Sequence, residues 1–349
     1  MATLGRRVRD DLDPLQQGPR KRYTASDPLV HVGRHFGRTV FAFCNVKSLL
    51  TNGLTLVADN PAPETLNTEE RQIARVYREL LKISRTLEAR ILRSNSEEEV
   101  GLVADLIQRG ANASRVDDTK GMKSSIIDWI TPPGEALCPP LNRRTKSDRG
   151  FQHERTGSLL CPAGLDWNCP EICDKLRSGE MIVRGDQWPV FLYPDMMYDP
   201  DDPWQGLLRS PLLAYKHVFT SPSSVDDDEV RVTKSTKSGN ARIHGMKSVT
   251  PSSLAYITTQ VRFALTSASQ FFRSDTITDS ERFYLTLLET LEDVRERENV
   301  QDLLGWWNKK IFPHYSPDTI VAPVEGSVHH RIRQKRAELE SRSQGANGD

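Results

Sequence analysis

The chain has 349 residues with 47 basic and 47 acidic side chains, so its net charge gives no ground for bulk attraction to nucleic acid or to a membrane surface. Hydrophobic residues make up 37%, which fits a folded middle between polar tails. No apolar run approaches the ~18 residues of a membrane span, and MATLGRRVRDDLDP lacks the apolar core of a secretory signal, so an intracellular chain with its five cysteines reduced is expected.

Residues 1–30 read as a disordered tail, and the basic cluster Pro19-Arg20-Lys21-Arg22 as a solvated charge run rather than a nuclear address. Residues 31–60 read as a short packed segment. Its glycines are not followed by the Lys-Ser or Lys-Thr of a phosphate loop, and Pro61-Ala62-Pro63 closes it. Asn67 and Glu70 have the spacing of a capping box, after which Ile73, Val76, Leu80, Ile83 and Leu87 form an apolar face. Ser96 and Glu99 repeat the spacing before Val100, Val103, Leu106 and Ile107, and Gly110 reads as the end of that helix. These two elements predict a helical hairpin over 68–109.

Pro132-Pro133 and Pro139-Pro140 predict a linker over 131–150. Residues 151–204 read as an irregular layer in which Met181–Val183 and Val190–Tyr193 form short strands or extended packing segments. Trp167, Trp188 and Trp204 plug the core there. A helix is expected from Gly206 to Phe219. The central element is 250–273. Thr250 caps it, Pro251 opens it, and Arg262 is the one charge between Pro251 and Phe272, so it reads as a buried helix. Thr278 and Glu281 give a third capping box, and a last stripe through Val300, Leu303, Trp307 and Ile311 stops at Pro313. The predicted fold is mainly α. A multi-helical domain (151–315) surrounds the central helix, an N-terminal helical region (31–130) precedes it, and 316–349 form a polar tail.

The chemistry-bearing residues form few recognisable patterns. His153, Cys161, Cys169 and Cys173 have ligand chemistry for zinc, but no pair has the Cys-x2-Cys spacing, so no metal and no cofactor is expected. Ser223 or Ser224 with His244, and Asp186 or Asp199 to orient the base, lack a nucleophile elbow. The carboxylate runs Asp199-Asp201-Asp202 and Asp226–Asp228 sit in loop-like surroundings. The strongest pattern is the basic stretch 231–247. Lys234, Lys237, Arg242, His244 and Lys247 surround Ser238-Gly239-Asn240 and lead into the amino end of the central helix, an arrangement suited to a phosphate. A solvated loop neutralised by Asp226–Glu229 is the alternative. Arg262 needs an acid, an anion or solvent as partner, and an acid such as Glu281 or Asp279 would serve.

Long phrases in order, GFQHERTGSLLCP, DQWPVFLYP, FTSPSS, SGNARIHGMKSVTPSSLAYITTQVRFALTS and LLGWWNKKIFP, resemble an uncharacterised family of basidiomycete fungal proteins over roughly residues 150–315. The resemblance implies a fungal intracellular protein with a domain of unknown function, and it brings no catalytic residue. It also implies that the N-terminal hairpin is a less constrained attachment. The expected function is a non-enzymatic binding protein for phosphate or nucleic-acid backbone through Lys234, Lys237, Arg242, His244, Lys247 and Arg262. A hydrolase or nuclease using the same region, or a protein-interaction scaffold using helices 68–109, are the alternatives. No membrane partner is expected.

Overall fold

The computed structural model describes residues 27–312, apart from positions 60, 63 and 95 and the stretches 214–217, 221–238 and 272–278, together with 331, 334 and 335. Eleven α-helices and no strand occur among the described residues: α1 (Pro28–Thr39), α2 (Val46–Asp59), α3 (Thr68–Ile83), α4 (Leu87–Ser94), α5 (Glu97–Ile130), α6 (Glu154–Leu160), α7 (Pro170–Ser178), α8 (Asn240–Ile243), α9 (Pro251–Leu265), α10 (Ser280–Glu292) and α11 (Arg297–Ile311). The fold is mainly α, as the periodicity predicts. No helix among them is long and apolar enough to cross a membrane.

Residues 28–30, expected in the tail, belong to α1. Asp27 caps α1 through its side chain, which accepts from the Leu29 amide at 2.8 Å, and Pro28 takes the first helical position. The segment 31–60 is two helices rather than one packed stretch. Gly110 does not end a helix, because α5 runs on for 34 residues, about 51 Å at 1.5 Å per residue. The glycine is there for close approach. A Cβ on Gly110 would lie 2.1 Å from the Val30 carbonyl oxygen, and one on Gly33 would lie 2.0 Å from that of Ile107. Two backbones meet where side chains would hold them apart, and this contact sets α1 along α5.

α5 joins two cores. Val103, Ala104, Leu106 and Ile107 pack with α1 to α4, while Met122, Ile126, Ile127 and Ile130 pack around α9. The expected hairpin is therefore a three-part arrangement, since α3 stops at Ile83 and α4 starts anew at Leu87. Asn67 and Glu70 make both bonds of the capping box. Ser96 is the residue before α5, but its side chain makes no cap bond.

α9 is the centre of the larger core, and Ser252 to Leu265 are all buried. Thr250 and Ser253 close a capping box at its start. The helix ends at Leu265 and not at 273. Lys146 Nζ donates to the Phe263 carbonyl and Arg149 Nη1 to that of Ala264, so the last carbonyls find partners without another turn. Both cations come from the segment predicted as a linker, and both are buried. That segment packs on the core because its two donors satisfy the open carbonyls at the carboxyl end of α9.

The expected helix over Gly206–Phe219 is replaced by turns over 206–213, while Val218 and Phe219 at its far end are helical. Gly206 and Leu208 both have positive φ, at 76° and 56°, which a helix does not accommodate. Neither expected strand forms. Val190–Leu192 is a single 3-10 turn, Met181–Val183 has no regular structure, and the one bridge in this layer joins Pro162 and Pro189. Trp167 is buried, whereas Trp188 and Trp204 are half-exposed. Thr278 lies outside the described residues, and the residue before α10 is Asp279, whose side chain makes no cap bond.

Candidate functional site

α1 places His31, Arg34, His35 and Arg38 at i, i+3, i+4 and i+7, one stripe of a helix. Thr250 at the start of α9 donates its hydroxyl to the Thr39 carbonyl at 3.1 Å, which ties the end of α1 to that of α9. The short segment between α8 and α9 then brings His244 onto the stripe. The His35 and His244 rings stack, with centroids 4.7 Å apart and planes 12° from parallel. Gly245, with φ of 64°, allows the turn that carries the chain away.

The charge around this stack is positive. Burial, followed by the Arg38 charge, lowers His35 to about pKa 4. Burial, followed by His35, Arg38, His31 and Arg34, lowers His244 to about 4 as well. The neighbouring carboxylates are already engaged. Asp117 pairs with Arg34, and Asp118 takes Arg38 in two bonds of 2.7 and 2.8 Å. Tyr256 on α9 donates to the same Asp118 at 2.5 Å, so one buried carboxylate links α1, α5 and α9. Arg38 Nη1 is buried with no acceptor among the described residues.

The predicted site residues divide. Lys234 and Lys237 lie outside the described residues, as do Ser223, Ser224, Ser238 and the acidic run 226–229. Of the others, His244 is placed against α1 through its stack on His35, while Arg242 and Lys247 are exposed two and three residues from it in the chain. Arg262 does not join them. It lies twelve residues into α9 from Thr250, about 18 Å along the axis, where it is buried with its guanidinium 4.6 Å from the Phe283 ring centroid. Gly239 and Asn240 do not form an open cradle. A Cβ on Gly239 would meet the Thr220 carbonyl oxygen at 2.6 Å, and Asn240 Nδ2 donates to the Val218 carbonyl at 2.5 Å. The amino end of α9 is likewise closed by its own capping box, so its amides are not the anion contact.

The other patterns have structural roles. His153 caps α6 through Nδ1 and meets the Pro139 carbonyl through Nε2, Cys161 Sγ donates to the Leu165 carbonyl, and Cys173 Sγ to that of Trp167. No group of three or more metal-ligating side chains occurs among the described residues. Asp199 and Asp202 accept from amides two residues on and close turns. Asp186 pairs with Arg282. Lys146 is lowered to about pKa 6 by burial, then by Arg149 and Lys123, but it is committed to the end of α9. The α1 cations were not anticipated from sequence, although their helical spacing was there to find.

The pattern of a family of unknown function (DUF6698) matches residues 109–312. Its start falls beside Gly110, where α5 passes from one core to the other. No curated protein matches the chain. No solved structure matches it.

Proposed function

We propose that this chain, which belongs to the DUF6698 family, is a non-enzymatic binder of phosphate groups on a polyanion, with nucleic-acid backbone as the first ligand to test. The observation that supports this most is the stacked His35–His244 pair, kept neutral by burial and by His31, Arg34 and Arg38. An anion at this surface would favour the charged forms of the two rings, which burial and the neighbouring arginines otherwise oppose. Arg242 and Lys247, two and three residues from His244 in the chain, are exposed and add two cations to this segment. The resemblance of its long phrases to basidiomycete proteins supports a fungal, intracellular setting for this activity.

The test is titration of the full chain with labelled single- and double-stranded DNA and RNA at two salt concentrations. Binding is expected to tolerate sequence and to fall steeply with salt. Arg242→Ala with Lys247→Ala removes two exposed cations, so the melting temperature is expected to hold. The slope of log affinity against log salt should shrink by roughly 2. No binding at low salt, or full binding by the double variant, rejects the proposal. Shortening of the labelled strands during the titration would instead favour a nuclease.

A further inference from the structure

A groove of about 490 Å³ opens on the irregular layer, away from the histidine pair in the chain. Its walls include Trp188, Tyr193, Tyr198, Trp204 and Pro162. Two of these aromatics are fixed by their polar ends. Trp188 Nε1 donates to the Thr286 hydroxyl at 3.1 Å, and the Tyr193 hydroxyl donates to the Pro203 carbonyl at 3.0 Å. Tyr198 packs edge-on against Tyr193, with centroids 5.2 Å apart. Among the described residues, neither the Tyr198 hydroxyl nor the Trp204 indole N–H has a hydrogen-bond partner. The groove thus has rigid apolar walls and two donors left to give.

Acid outweighs base around it: Asp186 on its wall pairs with Arg282 and Arg209 in the adjoining hollow pairs with Asp302, which leaves Asp195, Asp199, Asp201 and Asp202 without a cationic partner among the described residues. From Gly185 to Leu208 the chain carries Asp186, Asp195, Asp199, Asp201 and Asp202 and no Lys, Arg or His. Asp202 also lines the adjoining hollow, which shares Trp204 and Leu207 with the groove.

We infer that this groove binds a proline-rich peptide flanked by basic residues. A polyproline II strand leaves its carbonyls free as acceptors and presents flat rings, and it needs no further ordering to bind. Its prolines stack on Trp188, Tyr198 and Trp204, its carbonyls take the Tyr198 and Trp204 donors, and its flanking cations face the aspartates. Charge complementarity selects a basic partner over an acidic one.

The experiment follows tryptophan fluorescence of the full chain against a decaproline peptide with arginine at both ends, at low salt. Saturable binding is expected, and the same peptide with glutamate ends should bind about tenfold more weakly. Tyr198→Phe keeps the ring and removes one donor, so affinity should fall about fivefold. Trp204→Ala should weaken binding about thirtyfold, with circular dichroism confirming an unchanged fold. If that variant fails to fold, Tyr198→Phe and the glutamate peptide decide. The inference is overturned if the arginine peptide does not saturate, if both end charges bind alike, or if Tyr198→Phe binds as the parent does. Saturation by a soluble oligosaccharide, with no binding of the peptide, would also overturn it and assign the groove to sugars.

Discussion

Replacing Asp118 by alanine is expected to cost about 3–5 kcal/mol of stability. The side chains of Arg38 and Asp118 are only 3% and 7% exposed, so removing the carboxylate leaves a guanidinium in the interior without its counter-charge. The same change strands the Tyr256 hydroxyl, whose proton is held well above its ordinary pKa by burial and by Asp118. Because this carboxylate connects α1, α5 and α9, the loss should appear as one cooperative shift in urea denaturation. Arg38→Met combined with Asp118→Leu removes both charges and should lose much less than Asp118→Ala alone. If the single variant is as stable as the parent, the triad is not what binds the two cores together.

Val261→Asp should be nearly as damaging, at about 4 kcal/mol or more. Val261 has no exposed surface and lies among the side chains that surround α9, so an aspartate there meets no water. Val261→Ala opens only a small cavity and should cost about 1–3 kcal/mol. The gap between the two variants, read by thermal or urea denaturation, measures the charge penalty separately from the packing loss. A Val261→Asp protein that melts with the parent would contradict the central position of α9.

Much of this fold is legible locally. Thr250-Pro251 announces the start of α9, and the absence of charge along it announces burial. Asn67 and Glu70 announce α3 in the same way, since a capping box is complete within four residues. What escapes local reading depends on partners far away in the chain. Gly110 has the chemistry of a helix end, and only the backbone of α1 against it explains why the helix continues. Lys146 and Arg149 read as linker charges because their acceptors, the carbonyls of Phe263 and Ala264, lie more than a hundred residues on. The candidate site has the same character. Arg242, His244 and Lys247 stand out as a basic run, but the α1 stripe that completes them is some two hundred residues earlier. Arg262 reads as part of the site because it is the lone charge on α9, yet it belongs to the other end of that helix.

The central claim, an anion site at the stacked histidines where α1 meets the start of α9, has a signature in proton binding. His35 and His244 hold protons only near pH 4, against 6.5 for an unconstrained imidazole. Between about pH 6.5 and 4 the unfolded chain therefore takes up protons that the folded chain refuses, and stability falls as pH drops through that window. A bound anion favours the charged rings and raises both values. The direct measurement is NMR titration of the two imidazoles in low-salt buffer, with and without inorganic phosphate, with His35→Gln and His244→Gln used to assign the signals. The expected result is midpoints near 4 without the anion, moving toward 6.5 with it. Midpoints near 6.5 in its absence, unchanged by phosphate, would contradict the account.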